Sequence, residues 1–78
     1  MNDKAYHMIA GFIISLLTGW LTHNVLIGFT SALLAGIAKE VWDYFGHGTS
    51  DFNDIIATAQ GGAIGLIILS VIDFLGVW

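Results

Sequence analysis

Residues 38–44 read Ala-Lys-Glu-Val-Trp-Asp-Tyr, and they place Lys39, Glu40 and Asp43 at the end of an otherwise almost wholly apolar run. Charged side chains beside a long apolar segment are costly in a membrane, and they tend to mark functional or partnered positions. We expect this run to form a helix over residues 25–45. The stretch therefore predicts a membrane-spanning helix that ends in a polar segment at one membrane face.

Two further apolar runs flank this one, and they predict helices over residues 5–22 and 54–77. Eighteen residues of helix rise by ~27 Å, which just spans a bilayer core of ~30 Å. The alternative is a buried helix of a soluble protein, but the rest of the chain has too little polar surface to cover it. We therefore expect an all-α, three-transmembrane-helix membrane bundle that forms a single domain over residues 1–78.

The composition excludes several classes of protein. The chain is 56% hydrophobic and only 10% charged, with a net charge of −4. Two lysines and no arginine make nucleic acid an unsuitable partner, because phosphate binding needs basic side chains. The absence of cysteine excludes disulfides and thiolate zinc sites. Residues 1–4 lack the basic character of a cleavable signal, so we expect the first apolar run to remain as a span.

Small residues recur every three or four positions along each predicted helix, so they form one stripe on each. The stripes are His7, Gly11, Ser15 and Gly19 in the first helix, Gly28, Ala32, Gly36 and Glu40 in the second, and Asp54, Ala57, Gly61 and Gly65 in the third. Such stripes usually form the surfaces on which membrane helices pack. Three spans with short connections alternate in direction, so the ionisable end of each stripe is expected at the same membrane face.

The ionisable residues of that face are the candidate site. Its members are His7, Glu40, Asp43 and Asp54. An imidazole and three carboxylates are ligands that a divalent cation accepts, so a metal ion is a candidate cofactor. The same four residues are candidate catalytic residues, with a carboxylate as general base for a bound water.

A structural interpretation of the same residues stays open. In a buried polar network, Lys4 or Lys39 would neutralise the carboxylates of the second helix, with Asp3 nearby, while His7 would donate to Asp54. A further alternative is a set of interfacial charges without mutual contact. The sequence does not decide among these three arrangements.

The charged motifs also occur in a familiar order. They are Asp3-Lys4-x-x-His7, then Gly36-x-x-Lys39-Glu40-x-x-Asp43, then Asp51-x-x-Asp54 followed by Gly61-Gly62-x-x-Gly65. This order resembles the VanZ-like membrane proteins, and more nearly the small lipoproteins and phage-encoded proteins related to them. The likeness covers residues 2 to about 66. It extends the family pattern to Asp3, Lys4, His7, Lys39, Glu40, Asp43 and Asp54.

The chain departs from that family in two respects. The lipoprotein relatives begin with a signal and a lipidated cysteine, which this sequence lacks. VanZ-like proteins usually have further helices and often an arginine before the third-helix aspartate, where this chain has Gly48-Thr49-Ser50. The resemblance implies a membrane protein, with a link in some members to glycopeptide-antibiotic resistance, and it supplies no settled reaction.

Three functional hypotheses follow. The first is a cell-envelope or lipid-associated binding module, with membrane lipid or a lipid-linked envelope precursor as its partner. The second is a metal-assisted membrane hydrolase that uses the candidate site. The third is a holin-like or structural phage protein that acts by oligomerisation, and a homo-oligomer is expected because three short helices offer little packing. The positive-inside rule, applied to Lys4 and Lys39, places the N-terminus in the cytoplasm of a bacterial inner membrane.

Overall fold

The computed structural model describes residues 3–47 and 52–76, and these residues form three long helices and no strand. The helices are α1 (Asp3–Thr22), α2 (Val25–Trp42) and α3 (Phe52–Phe74). The backbone stays helical at Asp43, after the end of α2, and the chain leaves the helix at Phe45 (ψ 21°) and Gly46, whose φ is 97°. The expected all-α fold is confirmed, and each of the three helices is long and apolar enough to cross a membrane.

The helix ends differ slightly from the sequence expectation. α1 and α3 each begin two residues earlier than expected, at Asp3 and Phe52. An acidic residue suits the first turn of a helix, because the helix dipole is positive there. α3 ends at Phe74, and Gly76 follows with a φ of 76°, a left-handed conformation that often terminates helices. The expected end of this helix, residue 77, lies outside the described residues.

The turn between α1 and α2 is held by Asn24. Its side chain accepts hydrogen bonds from the backbone N–H groups of Leu26 (3.0 Å) and Ile27 (3.2 Å). These bonds satisfy two donors that the start of a helix leaves without intrahelical partners. The preceding His23 adopts a φ of 55°, which lets the chain reverse within two residues. Asn24 is therefore the N-cap of α2.

The bundle has small and polar residues inside and large apolar residues outside. The buried apolar residues in the described part of the chain are Ala32, Ala57 and Leu69. Large side chains such as Leu21, Leu26 and Phe74 are 66–88% exposed. Soluble monomers rarely expose apolar surface on this scale. The arrangement, together with the three apolar helices, is consistent with a multi-pass membrane protein.

Glycines bring the helices into backbone contact. A Cβ atom added to Gly61 of α3 would overlap the carbonyl oxygen of Met8 in α1. A Cβ on Gly11 of α1 would overlap the carbonyl oxygen of Thr58 in α3. Any larger side chain would force these helices apart, so glycine sets the α1–α3 distance.

The predicted packing stripes are confirmed in α2 and α3. The buried residues of α2 are Gly28, Ala32, Gly36 and Glu40, and the third-helix stripe is buried as well.

A pair of adjacent glycines tests this packing. Gly61→Ala should lower the free energy of unfolding by about 1–3 kcal/mol, because its methyl group has only rigid backbone to displace. Gly62→Ala should cost less, since its Cβ would lie 3.1 Å from the Cβ of Ala32, which is a tight contact but not the overlap with backbone that Gly61→Ala creates. The measurement is unfolding by sodium dodecyl sulfate in mixed micelles, followed by circular dichroism. Equal destabilisation by the two variants would contradict this account.

Candidate functional site

One ionisable residue from each helix meets at the same end of the bundle. His7, Glu40 and Asp54 each offer a ligand atom, and these three atoms lie within 4.8 Å of one another. We call these three residues the interhelical cluster. Glu40 and Asp54 are buried, and His7 is half-buried. The packing stripes explain the meeting, because each cluster residue continues a stripe along which its helix touches the others.

Asp54 contacts two side chains of α1. Its Oδ1 atom accepts a hydrogen bond from the Lys4 ammonium group at 2.5 Å. Its Oδ2 atom lies 3.3 Å from Nε2 of His7. Asp54 also occupies the first turn of α3, where the helix dipole favours a carboxylate. The α1–α3 packing thus presents both oxygens of one carboxylate to two side chains of α1.

Glu40 supplies the contribution of α2. It is 5% exposed and stands one turn beyond Gly36 on the face that α2 buries. Gly36 itself packs against Thr58, since a Cβ at this glycine would lie 3.1 Å from the Thr58 Cβ. The close contact below Glu40 fixes the height of its carboxylate relative to α3. Packing of α2 therefore determines where this third ligand atom lies.

Asp43 stands apart from the interhelical cluster. Its Oδ2 atom accepts a hydrogen bond from Lys39 at 2.8 Å, one helical turn away. Asp43 is 7% exposed, whereas the Lys39 side chain is half exposed. Three of the four predicted ligands thus lie together, and the fourth, Asp43, forms an ion pair with Lys39.

The predicted polar network is partly visible. Lys39 pairs with Asp43, and His7 lies beside Asp54, as the network interpretation expected. Lys4 pairs with Asp54, a partner that the sequence did not assign to it. The third proposed network residue, Asp3, begins α1, but its side chain lies outside the described part of the structure. Asp51, which opens the third charged motif, lies outside the described residues altogether.

Thr58 is a site residue that the sequence reading missed. Its hydroxyl donates a hydrogen bond of 2.9 Å to the backbone carbonyl of Asp54, and it is 3% exposed. It fits between Gly11 of α1 and Gly36 of α2, directly below the interhelical cluster. The spacing of four between Asp54 and Thr58 was the available signal, because it places the two on the same helical face.

A groove opens beside the cluster. It has a volume of about 200 Å³ and runs between α1 and α2. His7 and Lys39 give it a polar end, and Ala10, Ile14, Ala35, Gly36 and Thr58 complete its lining. Its lining is thus polar beside the cluster and mostly apolar elsewhere, as the binding site of an amphiphile would be.

Asp54 and Asp73 provide a matched test of the cluster. Asp54→Ala should lower the free energy of unfolding by about 1–3 kcal/mol, because it removes the carboxylate that both Lys4 and His7 contact. Asp73 is exposed near the other end of α3, so Asp73→Ala should change the stability by less than about 0.5 kcal/mol. Detergent unfolding of both variants measures the difference. A loss at Asp73 as large as that at Asp54 would show that the cluster does not hold the helices together.

Comparisons with protein-family models, with curated proteins and with solved structures found no match for this chain. The resemblance to VanZ-like proteins stays a prediction from the charged motifs.

Proposed function

We propose that this protein is a membrane-embedded binding module whose interhelical cluster holds a divalent cation and, through it, the phosphate of a lipid headgroup. The observation that carries the proposal is the meeting of three ligand atoms, one from each helix, within 4.8 Å. This function corresponds to the first of the three hypotheses from the sequence, a lipid-associated binding module.

The separation of the ligand atoms suits a cation. Nitrogen and oxygen ligands lie about 2.0–2.6 Å from divalent ions, so ligands on opposite sides of one ion are about 4–5 Å apart. No two of the ligand atoms in the cluster are more than 4.8 Å apart, so they are close enough to share one ion. One imidazole with two carboxylates is a set that accepts manganese, iron or zinc and leaves coordination positions open. A phosphate oxygen is a suitable further ligand.

The formal charges around the cluster favour a cation as well. Three carboxylates, from Glu40, Asp43 and Asp54, face the two ammonium groups of Lys4 and Lys39. The three carboxylates exceed the two ammonium groups by one negative charge. A divalent ion reverses that sign, and the resulting positive charge attracts a phosphate. The cation would therefore be the element that gives an acidic site affinity for an anionic headgroup.

The groove provides the place for the rest of the lipid. Its polar end begins at His7, a member of the cluster, and its apolar part is lined by Ala10, Ile14 and Ala35. A headgroup at the cluster would put the attached acyl chain in contact with these residues. The proposed location is a bacterial inner membrane, with the Lys4 and Lys39 end in the cytoplasm under the positive-inside rule.

The open positions of a three-ligand site support a second candidate function, a metal-assisted membrane hydrolase. Such an ion would make a bound water more acidic, and a neighbouring carboxylate would be available as its general base. His7, Glu40 and Asp54 would be the ligands, and Asp43, which is paired with Lys39 one turn from Glu40, would be the candidate base. Release of a headgroup from bound lipid by the wild type, and not by Asp43→Asn, would favour this function over simple binding.

Manganese binding tests the first part of the proposal. Chelator-treated protein in non-ionic detergent should bind one Mn²⁺ per chain, as measured by the loss of the free-ion electron paramagnetic resonance signal. Glu40→Gln should weaken binding at least about tenfold, since it replaces a charged ligand by a neutral amide. Asp73→Asn, away from the cluster, is the control and should bind as the wild type does. Absence of saturable binding to the wild type would refute the cation site.

Lys4→Met makes the test sharper, because a structural network and a cation site predict opposite results. Lys4 contacts Asp54 and competes with any bound cation for its carboxylate. Its removal should tighten Mn²⁺ binding by about tenfold, given that a unit charge at this range is worth about 1–4 kcal/mol. In a purely structural network, the same substitution would lower stability and create no Mn²⁺ affinity.

Filling the groove tests the second part. Ala35→Phe should displace lipid, because Ala35 lines the apolar wall. Native mass spectrometry after incubation with phosphatidic acid should show the lipid-bound fraction reduced several-fold. The control is Ala38→Phe, which adds the same bulk to an exposed position outside the groove lining. Equal lipid retention by both variants would contradict the assigned groove.

A further inference from the structure

Gln60 is an exposed amide in the middle of a membrane-spanning helix. It belongs to the candidate span Phe52–Phe74 and lies three residues from Ala63, the midpoint of that helix, which is a rise of about 4.5 Å. Its side chain is exposed, and the residues 3–47 and 52–76 offer it no hydrogen-bond partner. Gln60 belongs neither to the interhelical cluster nor to the lining of its groove.

Such a position is unfavourable for a glutamine in an isolated chain. The hydrocarbon core holds no water, and an amide without hydrogen bonds there costs several kcal/mol. Gln60 lies about 9 Å along the helix axis from Asp54 and about 12 Å from Phe52, farther than its side chain extends. It does not reach the polar end of the bundle, so its partner must come from another molecule within the membrane.

The surroundings of Gln60 form a helical seam. Ile56, Ile64, Ile67 and Val71 follow its face at spacings of four, four, three and four, and they are 41%, 45%, 59% and 52% exposed. Alternation of three and four is the spacing with which helices pack side by side in coiled coils. The opposite face of α3 carries Gly61 and Gly65 and is buried within the bundle. We call residues 56, 60, 64, 67 and 71 the Gln60 seam.

We propose that the Gln60 seam is the interface of a parallel homodimer in which the Gln60 amides of two copies hydrogen-bond to each other. Copies inserted in the same direction place Gln60 at the same membrane depth. A primary amide carries both donors and an acceptor, so it is complementary to itself across a two-fold axis. Apolar exposure alone is ordinary for a lipid-facing surface, and the central amide is what selects a second copy as the occupant.

The partner expected here differs from lipid and from an unrelated helix in one respect. Lipid tails have no donor or acceptor for the amide. An unrelated helix would need a polar group at the matching depth, whereas an identical chain supplies one by symmetry. A single polar residue in such a seam also fixes the register of the two helices, because any shift separates the amides.

Energy transfer between labelled copies tests the proposal. Donor- and acceptor-labelled full-length protein is mixed in phosphatidylcholine vesicles over a range of protein-to-lipid ratios. The wild type should show saturable transfer, and Gln60→Leu should weaken association by about tenfold, in line with the strength of amide pairs between membrane helices. Thr30→Leu is the control, since it removes an exposed hydroxyl from α2 without touching the seam. It should associate as the wild type does.

Cysteine cross-linking locates the interface independently. The sequence has no cysteine, so single substitutions report one position each. Ile67→Cys lies in the seam and should form disulfide-linked dimers on mild oxidation, whereas Leu34→Cys, equally exposed on α2, should not. Wild-type protein that stays monomeric at all ratios would overturn the proposal. Undiminished association of Gln60→Leu, or cross-linking through Leu34→Cys instead of Ile67→Cys, would also overturn it.

Discussion

The close approach of α1 and α3 is the constraint on which the rest of the structure depends. At Gly61 against Met8, and at Gly11 against Thr58, a hydrogen atom stands where any side chain would meet backbone. In a membrane, helix association gains little from apolar burial, because lipid tails are as apolar as leucine. Tight van der Waals contact must supply the association, and glycine is the residue that permits it. The depth of each helix relative to its neighbour follows from these contacts.

That packing also decides the chemistry at one end of the bundle. Ionisable groups at the membrane face need partners, and the glycine contacts bring His7, Glu40 and Asp54 close enough to be partners or joint ligands. The Asp54 carboxylate contacts both Lys4 and His7, so the atoms that stabilise the bundle are also those that would bind a cation. A site of this kind is inseparable from the fold, since each helix contributes one residue to it.

Sequence periodicity predicted the fold and most of the site, for reasons visible in particular residues. The spacing of four that joins Gly28, Ala32 and Gly36 continues to Glu40, so burial of the glycines implied burial of the glutamate. The sequence did not separate Asp43 from the cluster, because Asp43 lies only one turn from Glu40 and its pairing with Lys39 depends on side-chain conformation. Thr58 was missed because threonine is unremarkable in a membrane helix until its neighbours are known.

The amino-acid sequence by itself determined three apolar helices, their alternating direction and the face on which each carries its small residues. These properties are local, since they follow from helix rise, helical period and the cost of exposing backbone to hydrocarbon. Only the tertiary structure decided which ionisable groups meet, that Lys4 reaches Asp54, and that Gln60 is left on the outer surface. Those outcomes depend on the rotation and depth of each helix relative to its neighbours. Contacts between helices set both quantities, so the sequence pattern of one helix does not determine them.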